Sequence, residues 1–249
     1  MDLVPMLVIA VLVFVVAALY SSVGHGGASG YLAVLSFFAV APATMASTAL
    51  TLNVLVAGVA MVSYIQAGHL SWKLAWPFIV LSIPAAFLGG LIHVSEAVYD
   101  VLLSFALVFA AFRLAMNAVS PTQANDLRSV NLPVSLPVGA GIGLLSGVVG
   151  VGGGIFLSPL MILFRWADAK KTSAVAALFI VVNSLAGLAG RLSKGNLAID
   201  GFAPLIAVAF LGGLIGSYYG ANRFSGLVLR RLLALVLVIA ATKMILSLI

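Results

Sequence analysis

Ten stretches of almost uninterrupted apolar sequence dominate this chain, and the longer ones approach the about 20 residues that a helix needs to cross a bilayer. Residues 3–20, 31–40, 46–65, 74–92 and 97–116 precede a polar interval; residues 138–149, 155–164, 172–189, 202–219 and 232–249 follow it. Hydrocarbon cannot satisfy backbone N–H and C=O groups, so spanning segments must be helices or a closed β-barrel. Barrel strands alternate apolar and polar over roughly ten residues, and residues 3–20 do not alternate. The pattern predicts an all-α membrane protein. A soluble fold is excluded as well, because only 7% of the 249 residues are charged, against roughly 25% in an ordinary soluble domain.

The minor components narrow the function. Twelve Lys and Arg face six Asp and Glu, but the bases sit singly or in small groups between apolar runs. That placement fits anchoring by the positive-inside rule and predicts no nucleic-acid partner. The chain has no cysteine, and its three histidines lack acidic partners at ligand spacing, so neither a metal site nor a cofactor is expected. Asp2 lies near the start and the first Lys or Arg is Lys73, unlike a signal peptide with its basic start. The first apolar run is therefore expected to remain as a membrane segment of a multi-pass protein.

The chain also repeats itself. Gly24-His25-Gly26-Gly27-Ala28 aligns with Gly150-Val151-Gly152-Gly153-Gly154 at an offset of 126, and Gly68 and Pro77 fall on Gly195 and Pro204 at 127. The hexapeptide Phe87-Leu88-Gly89-Gly90-Leu91-Ile92 recurs as Phe210-Leu211-Gly212-Gly213-Leu214-Ile215 at 123. A nearly constant offset over a whole half predicts two homologous repeats, residues 1–117 and 138–249, joined by a linker at 118–137. Duplication in a membrane protein points first to a transporter. Each half is expected to combine a glycine-rich broken or re-entrant helix pair with three transmembrane helices.

Charge gives their relative orientation. Arg165, Lys170 and Lys171 mark one loop of the second half, and Arg223, Arg230 and Arg231 another. The corresponding loops of the first half, 41–45 and 93–96, hold no Lys or Arg, whereas Lys73, Arg128 and Arg113 lie on the alternate side. This predicts inverted repeats with the loops at Lys73, Arg128, Lys170 and Arg230 in the cytoplasm, and Ala43 and Ser95 outside. Inversion requires residues 138–164 to cross an even number of times, as a re-entrant hairpin or two short spans; a single broken helix would make the halves parallel. Arg191 and Lys194 fall on the outer side, where they are expected to steer anions.

The glycine-rich breaks carry the chemistry. Ser21, Ser22, His25, Gly26, Gly27 and Ser29 cluster at the first, and Ser146, Gly150, Gly152, Gly153 and Gly154 at the second. Glycine inside a helix costs about 1 kcal/mol relative to alanine, and the backbone it frees survives at membrane depth only when buried in protein or lining a wet cavity. Helices restarting at Gly26 and Gly152 would present N-terminal N–H groups there, which bind anions without a cationic side chain. Asn53 and Asn183, buried in apolar runs near corresponding places, either contact that anion or bond helices together. His25 either carries a proton, its reference pKa lying near 6.5, or bonds a neighbouring carbonyl. Gly89-Gly90 and Gly212-Gly213, without polar company, are expected to serve helix packing.

The segment Leu145-Ser146-Gly147-Val148-Val149-Gly150-Val151-Gly152-Gly153-Gly154-Ile155-Phe156-Leu157-Ser158-Pro159, with its weaker twin at residues 22–30, resembles the sulfite exporter and anion permease family TauE/SafE. The duplicated layout extends the resemblance over essentially the whole chain. It implies a bacterial-type inner-membrane permease for sulfite, sulfonates or other small organic anions. His25 stands where the second repeat has Val151, a departure from the family pattern that bears on substrate. A homo-oligomer is compatible with this reading.

Two rivals follow from the same residues. An ion channel or cation carrier would use carbonyls at the breaks, since no acidic residue lies inside an apolar core, Asp100 standing near the start of one. An intramembrane protease would use Ser29, because Gly27-Ala28-Ser29-Gly30 resembles the rhomboid nucleophile motif, with His69 or His93 reaching it as base. The second repeat keeps the break without the serine, which favours transport over catalysis.

Overall fold

The computed structural model describes residues 3–38, 42–92, 127–195 and 203–225, and the single positions 40, 95, 98, 101, 197, 227, 228, 231 and 232. Apart from such single positions, the apolar runs at 97–116 and 232–249 lie outside the described residues, as do His93, Arg113 and Arg230. The described chain forms α1 (Leu3–Ser22), α2 (Ala28–Phe37), α3 (Pro42–Gln66), α4 (Trp72–Leu91), α5 (Leu132–Val149), α6 (Gly154–Leu163), α7 (Ala169–Ser193) and α8 (Ala203–Tyr218), which runs into a π-helical turn, Tyr219–Arg223. There is no strand among the described residues. Among the described residues six segments are long and apolar enough to cross a membrane: α1, α3, α4, α5, α7, and α8 with its π-turn. By contrast, α2 and α6 have ten residues each, about 15 Å of helix, or half a bilayer.

The matching lengths continue in α3 and α7, both 25 residues long. These two form the centre of the bundle. Leu50 approaches Gly187, Asn53 and Ser184 meet at Gly152, and Tyr64 clusters with Ala174, so the helices run antiparallel and cross near their midpoints. The outer helices turn apolar side chains outward, among them Leu7, Val11 and Val15 of α1, Val80 and Leu88 of α4, and Leu211 and Ile215 of α8. Such a surface needs lipid as its solvent.

The outer helices join by small-residue packing. Gly139, Gly143 and Gly147 of α5 lie against the carbonyls of Phe78, Ser82 and Ala86 of α4. Gly212, Gly216 and Gly220 lie against those of Phe14, Ala18 and Ser22 of α1. In both pairs the numbers rise together at a spacing of four, so α4 and α5 are parallel, as are α1 and α8 with its π-turn. Small residues at this spacing let helix backbones meet closely where hydrocarbon supplies no hydrophobic drive. Gly89 and Gly90, against Leu144 and Gly187, join the same packing, as the sequence predicts.

One end of the bundle is basic. The Arg128 N–H donates to the Arg165 carbonyl at 2.8 Å, so the chain enters α5 and leaves α6 at the same end. The junction of α5 and α6 is thus a hairpin rather than one broken crossing. The loop after α3 and the start of α7 lie at this end too, because His69 and Lys170 both reach the Ala221 carbonyl of the π-turn, at 3.3 and 2.6 Å. Lys73, Arg128, Arg165, Lys170, Lys171 and Arg223 share it. Arg191 and Lys194, at the far end of α7, lie roughly 37 Å away along a 25-residue helix.

Candidate functional site

Each break begins with a glycine-terminated helix. Gly24 (φ 76°) follows the end of α1; its N–H donates to Ser21 O at 3.0 Å and that of His25 to Tyr20 O at 2.9 Å. This is a Schellman closure, which favours glycine in the left-handed region. Gly150 (φ 83°) closes α5 with a single bond to Ser146 O at 2.8 Å, the simpler left-handed form. Close approach also demands glycine here, since a Cβ on Gly24 would strike the Ser173 backbone of α7 and one on Gly150 would lie 3.1 Å from the Ala46 Cβ of α3. Ala46 and Ser173 are 127 positions apart, the repeat offset.

The last carbonyls of α1 and α5 are satisfied from matching positions by unlike residues. The Tyr64 hydroxyl donates to Ser22 O at 2.6 Å, and the Arg191 guanidinium to Val148 O at 2.9 Å and Gly147 O at 3.2 Å. Tyr64 and Arg191 are also 127 apart. A cation at a helix C-terminus is favoured by the helix dipole. The expectation that Arg191 is a surface steering charge is therefore corrected: it is half-buried and bound to carbonyls beside the second break. The missed signal was its alignment with Tyr64.

Beyond these ends the breaks converge on Asn53. Its Oδ1 accepts from the Ala28 N–H at the start of α2, at 3.0 Å, and its Nδ2 donates to the Val151 carbonyl of the second break, at 3.1 Å. A Cβ on Gly26 would overlap Asn53 Oδ1, and one on Gly152 would come within 2.6 Å of Nδ2 and 3.0 Å of Ser184 Oγ. One fully buried amide thus holds both restarting helices at the middle of α3. The second repeat has no copy, because the residue 127 positions on is Ile180, whose side chain packs on Gly154. Asn183 lies almost a turn further along and donates to Phe179 O of its own helix at 2.8 Å.

The remaining candidate residues divide by their partners. His25 Nε2 bonds Ser158 Oγ of α6 at 2.8 Å, tying the first break to the second half. Ser29 Oγ bonds the Tyr20 hydroxyl at 2.9 Å, while Ser21 and Ser22 donate to Ala18 O and Leu19 O of their own helix, at 3.3 and 2.6 Å. Gly27 faces the Tyr31 ring and Gly153 the Phe179 ring. Ser146 Oγ, Ser184 Oγ and Asn183 Oδ1 are buried without a hydrogen-bond partner among the described residues. Gly153, the N-cap of α6, supplies no side-chain cap. The first restarting helix is thus plugged by an amide, whereas the second begins uncapped.

The family described as sulfite exporter TauE/SafE matches residues 9–244. The chain belongs to the TauE/SafE family. It is also 36% identical, over 240 residues, to the probable membrane transporter protein y4hK of Sinorhizobium fredii (strain NBRC 101917 / NGR234), covering 95% of this chain and 96% of that protein. No solved structure matches the chain. As a TauE/SafE protein it is a multi-pass membrane transporter, in keeping with the six candidate spans among its described residues. The paired breaks described above are thus features of a transporter; among the described residues Ser29 Oγ bonds the Tyr20 hydroxyl and His69 Nε2 bonds the Ala221 carbonyl, while His93 lies outside them.

Proposed function

We propose that this protein is an inverted-repeat secondary transporter for a small anion, sulfite, a sulfonate or a related organic anion, which binds at mid-membrane where α2 and α6 begin. The repeats are residues 1–117 and 138–249, with 118–137 as linker. The antiparallel crossing of α3 and α7, equal in length and one repeat offset apart, supports inversion, as does the return of α6 to the end where α5 starts. The six cations grouped at that end make it the cytoplasmic one under the positive-inside rule, in a bacterial-type inner membrane.

The observation that carries the reading is the meeting of both restarting helices at one buried amide, Asn53. Helix N-termini are electropositive and offer free N–H groups, so an anion needs no cationic side chain there. Beside the second break, near Gly152, the buried hydroxyl of Ser184 supplies a further donor without a present partner, and that of Ser146, in the last turn of α5, is likewise buried and unpartnered. Asn183 Nδ2 is held by Phe179 O, a carbonyl the helix already engages, and turning the side chain away from it would free that donor for the anion. Binding at the dyad between inverted halves lets a rocking motion expose the anion to either side in turn.

Uptake of radiolabelled sulfite and of a small sulfonate into proteoliposomes tests the reading. A carrier shows saturable uptake accelerated by unlabelled anion inside the vesicle. Anion flux without such counterflow indicates a channel, and cation flux alone indicates a cation carrier.

A further inference from the structure

The basic end holds a cavity of about 450 Å3 that shares no residue with either break. It lies between the first turns of α4 and α5, and Trp166 and Lys171, around the start of α7, border it. Lys73, Arg128 and Lys171 bring cations to its lining, Ser71 and Ser129 bring hydroxyls, and Trp76 and Trp166 bring rings. Among the described residues one carboxylate is near: Asp168, 3.6 Å from Lys171 Nζ in an exposed pair, its other oxygen capping α7 through the Lys171 N–H.

Two further features suit the cavity to an oxyanion. Ser71 and Asn131, the N-caps of α4 and α5, have extended backbone and make no side-chain cap bond. Both helices therefore direct uncapped first turns at the region that already holds three cations, and their dipoles add to that charge. The tryptophans set its depth. Trp72 is 64% exposed and Trp76 43%, as befits rings at the level where acyl chains meet headgroups. A volume of this size admits a headgroup-sized ligand. The fork of Arg128 fits two oxygens of one tetrahedral group, leaving others for the lysines and hydroxyls.

We propose that this cavity binds an anionic phosphate ester at the cytoplasmic membrane surface, with Lys73, Arg128 and Lys171 on the phosphate oxygens and Trp76 against the adjoining glycerol or acyl carbons. The site is separate from the mid-membrane breaks, so its occupant is held rather than carried. An anionic lipid headgroup and a free phosphate monoester share this chemistry.

The full chain, purified in neutral detergent, is titrated with phosphatidylglycerol and phosphatidylcholine by native mass spectrometry, and with glycerol 3-phosphate by calorimetry. The parent is expected to retain phosphatidylglycerol over phosphatidylcholine, or to bind glycerol 3-phosphate. Each cation near a membrane surface is worth roughly fivefold in affinity. Lys73→Gln, Arg128→Gln and Lys171→Gln combined should then weaken binding on the order of a hundredfold, Arg128→Gln alone should weaken it several-fold, and Lys194→Gln at the far end should leave it unchanged. Displacement of the lipid by glycerol 3-phosphate would identify a soluble phosphate as occupant, and resistance to it a lipid; both support the site. Equal retention of both lipids with no phosphate binding, or parent-like affinity in the single and triple variants, overturns it.

Discussion

Asn53→Leu separates the two buried asparagines. The substitution keeps the branched shape but removes both bonds of the amide, leaving the Ala28 N–H and the Val151 carbonyl without that partner in a region water does not freely reach. Each unsatisfied group costs about 1–3 kcal/mol, so the total is about 2–6 kcal/mol. In a protein of this size each kcal/mol is worth about 2–4 °C, and a fall in Tm on the order of 5 °C or more is expected. Asn183→Leu should behave otherwise. Its one bond is to Phe179 O within α7, a carbonyl already engaged by the helix, and its Oδ1 is unpartnered. Its stability is expected within about 1 kcal/mol of the parent, while anion binding weakens. Thermal unfolding of purified, monodisperse variants in one detergent, followed by tryptophan fluorescence, measures both. Equal Tm values for Asn53→Leu and the parent would refute the role assigned to the bridge, and a large loss in Asn183→Leu would show that Asn183 braces the bundle instead.

Other outcomes follow from the same geometry. Arg191→Ala removes two bonds from the end of α5 and should lower Tm equally at low and high salt; parent-like stability with salt-dependent loss of uptake would restore the surface-steering role. Ser29→Ala should leave anion flux largely intact in proteoliposomes, and loss of a membrane-protein cleavage activity on this change would favour the protease. With no cysteine in the chain, single cysteines at Ala43 and Lys170 should react with an impermeant reagent from opposite sides; labelling from one side would contradict inversion.

Much of this was legible in the sequence because lipid is an unforgiving solvent. A glycine cluster inside an apolar run has few physical explanations, and both predicted clusters break helices ahead of ten-residue half-helices, which restart at Ala28 and Gly154, two residues beyond the expected Gly26 and Gly152 because the positive-φ glycines extend each break. The spacing also pointed to the repeat proposed above. Hidden from the sequence was the way unlike residues serve equivalent helix ends. Tyr64 and Arg191 both satisfy terminal carbonyls, but aligning an aromatic with a cation does not suggest it. Asn53 and Asn183 misled in the opposite sense. Their similar positions implied equivalent roles, yet they differ by almost a turn from the repeat register, and only Asn53 faces both breaks. The stripes at Gly139, Gly143 and Gly147 and at Gly212, Gly216 and Gly220 were readable at a spacing of four, but which helix each would meet depended on tertiary packing.

Anion binding by glycine variants tests the proposed site most directly. Gly26→Ala and Gly152→Ala each put a methyl group against the Asn53 amide, whereas Cβ atoms on Gly58 and Gly141 meet nothing within 4 Å. Loss of one hydrogen bond to a charged group costs about 1.5–3 kcal/mol, more than tenfold in affinity. Calorimetry with whichever of sulfite or a small sulfonate the parent binds should therefore show affinity lowered more than tenfold in monodisperse Gly26→Ala and Gly152→Ala, and retained in Gly58→Ala and Gly141→Ala. Parent-like affinity in both break variants would place the anion elsewhere and contradict a backbone site at the two breaks.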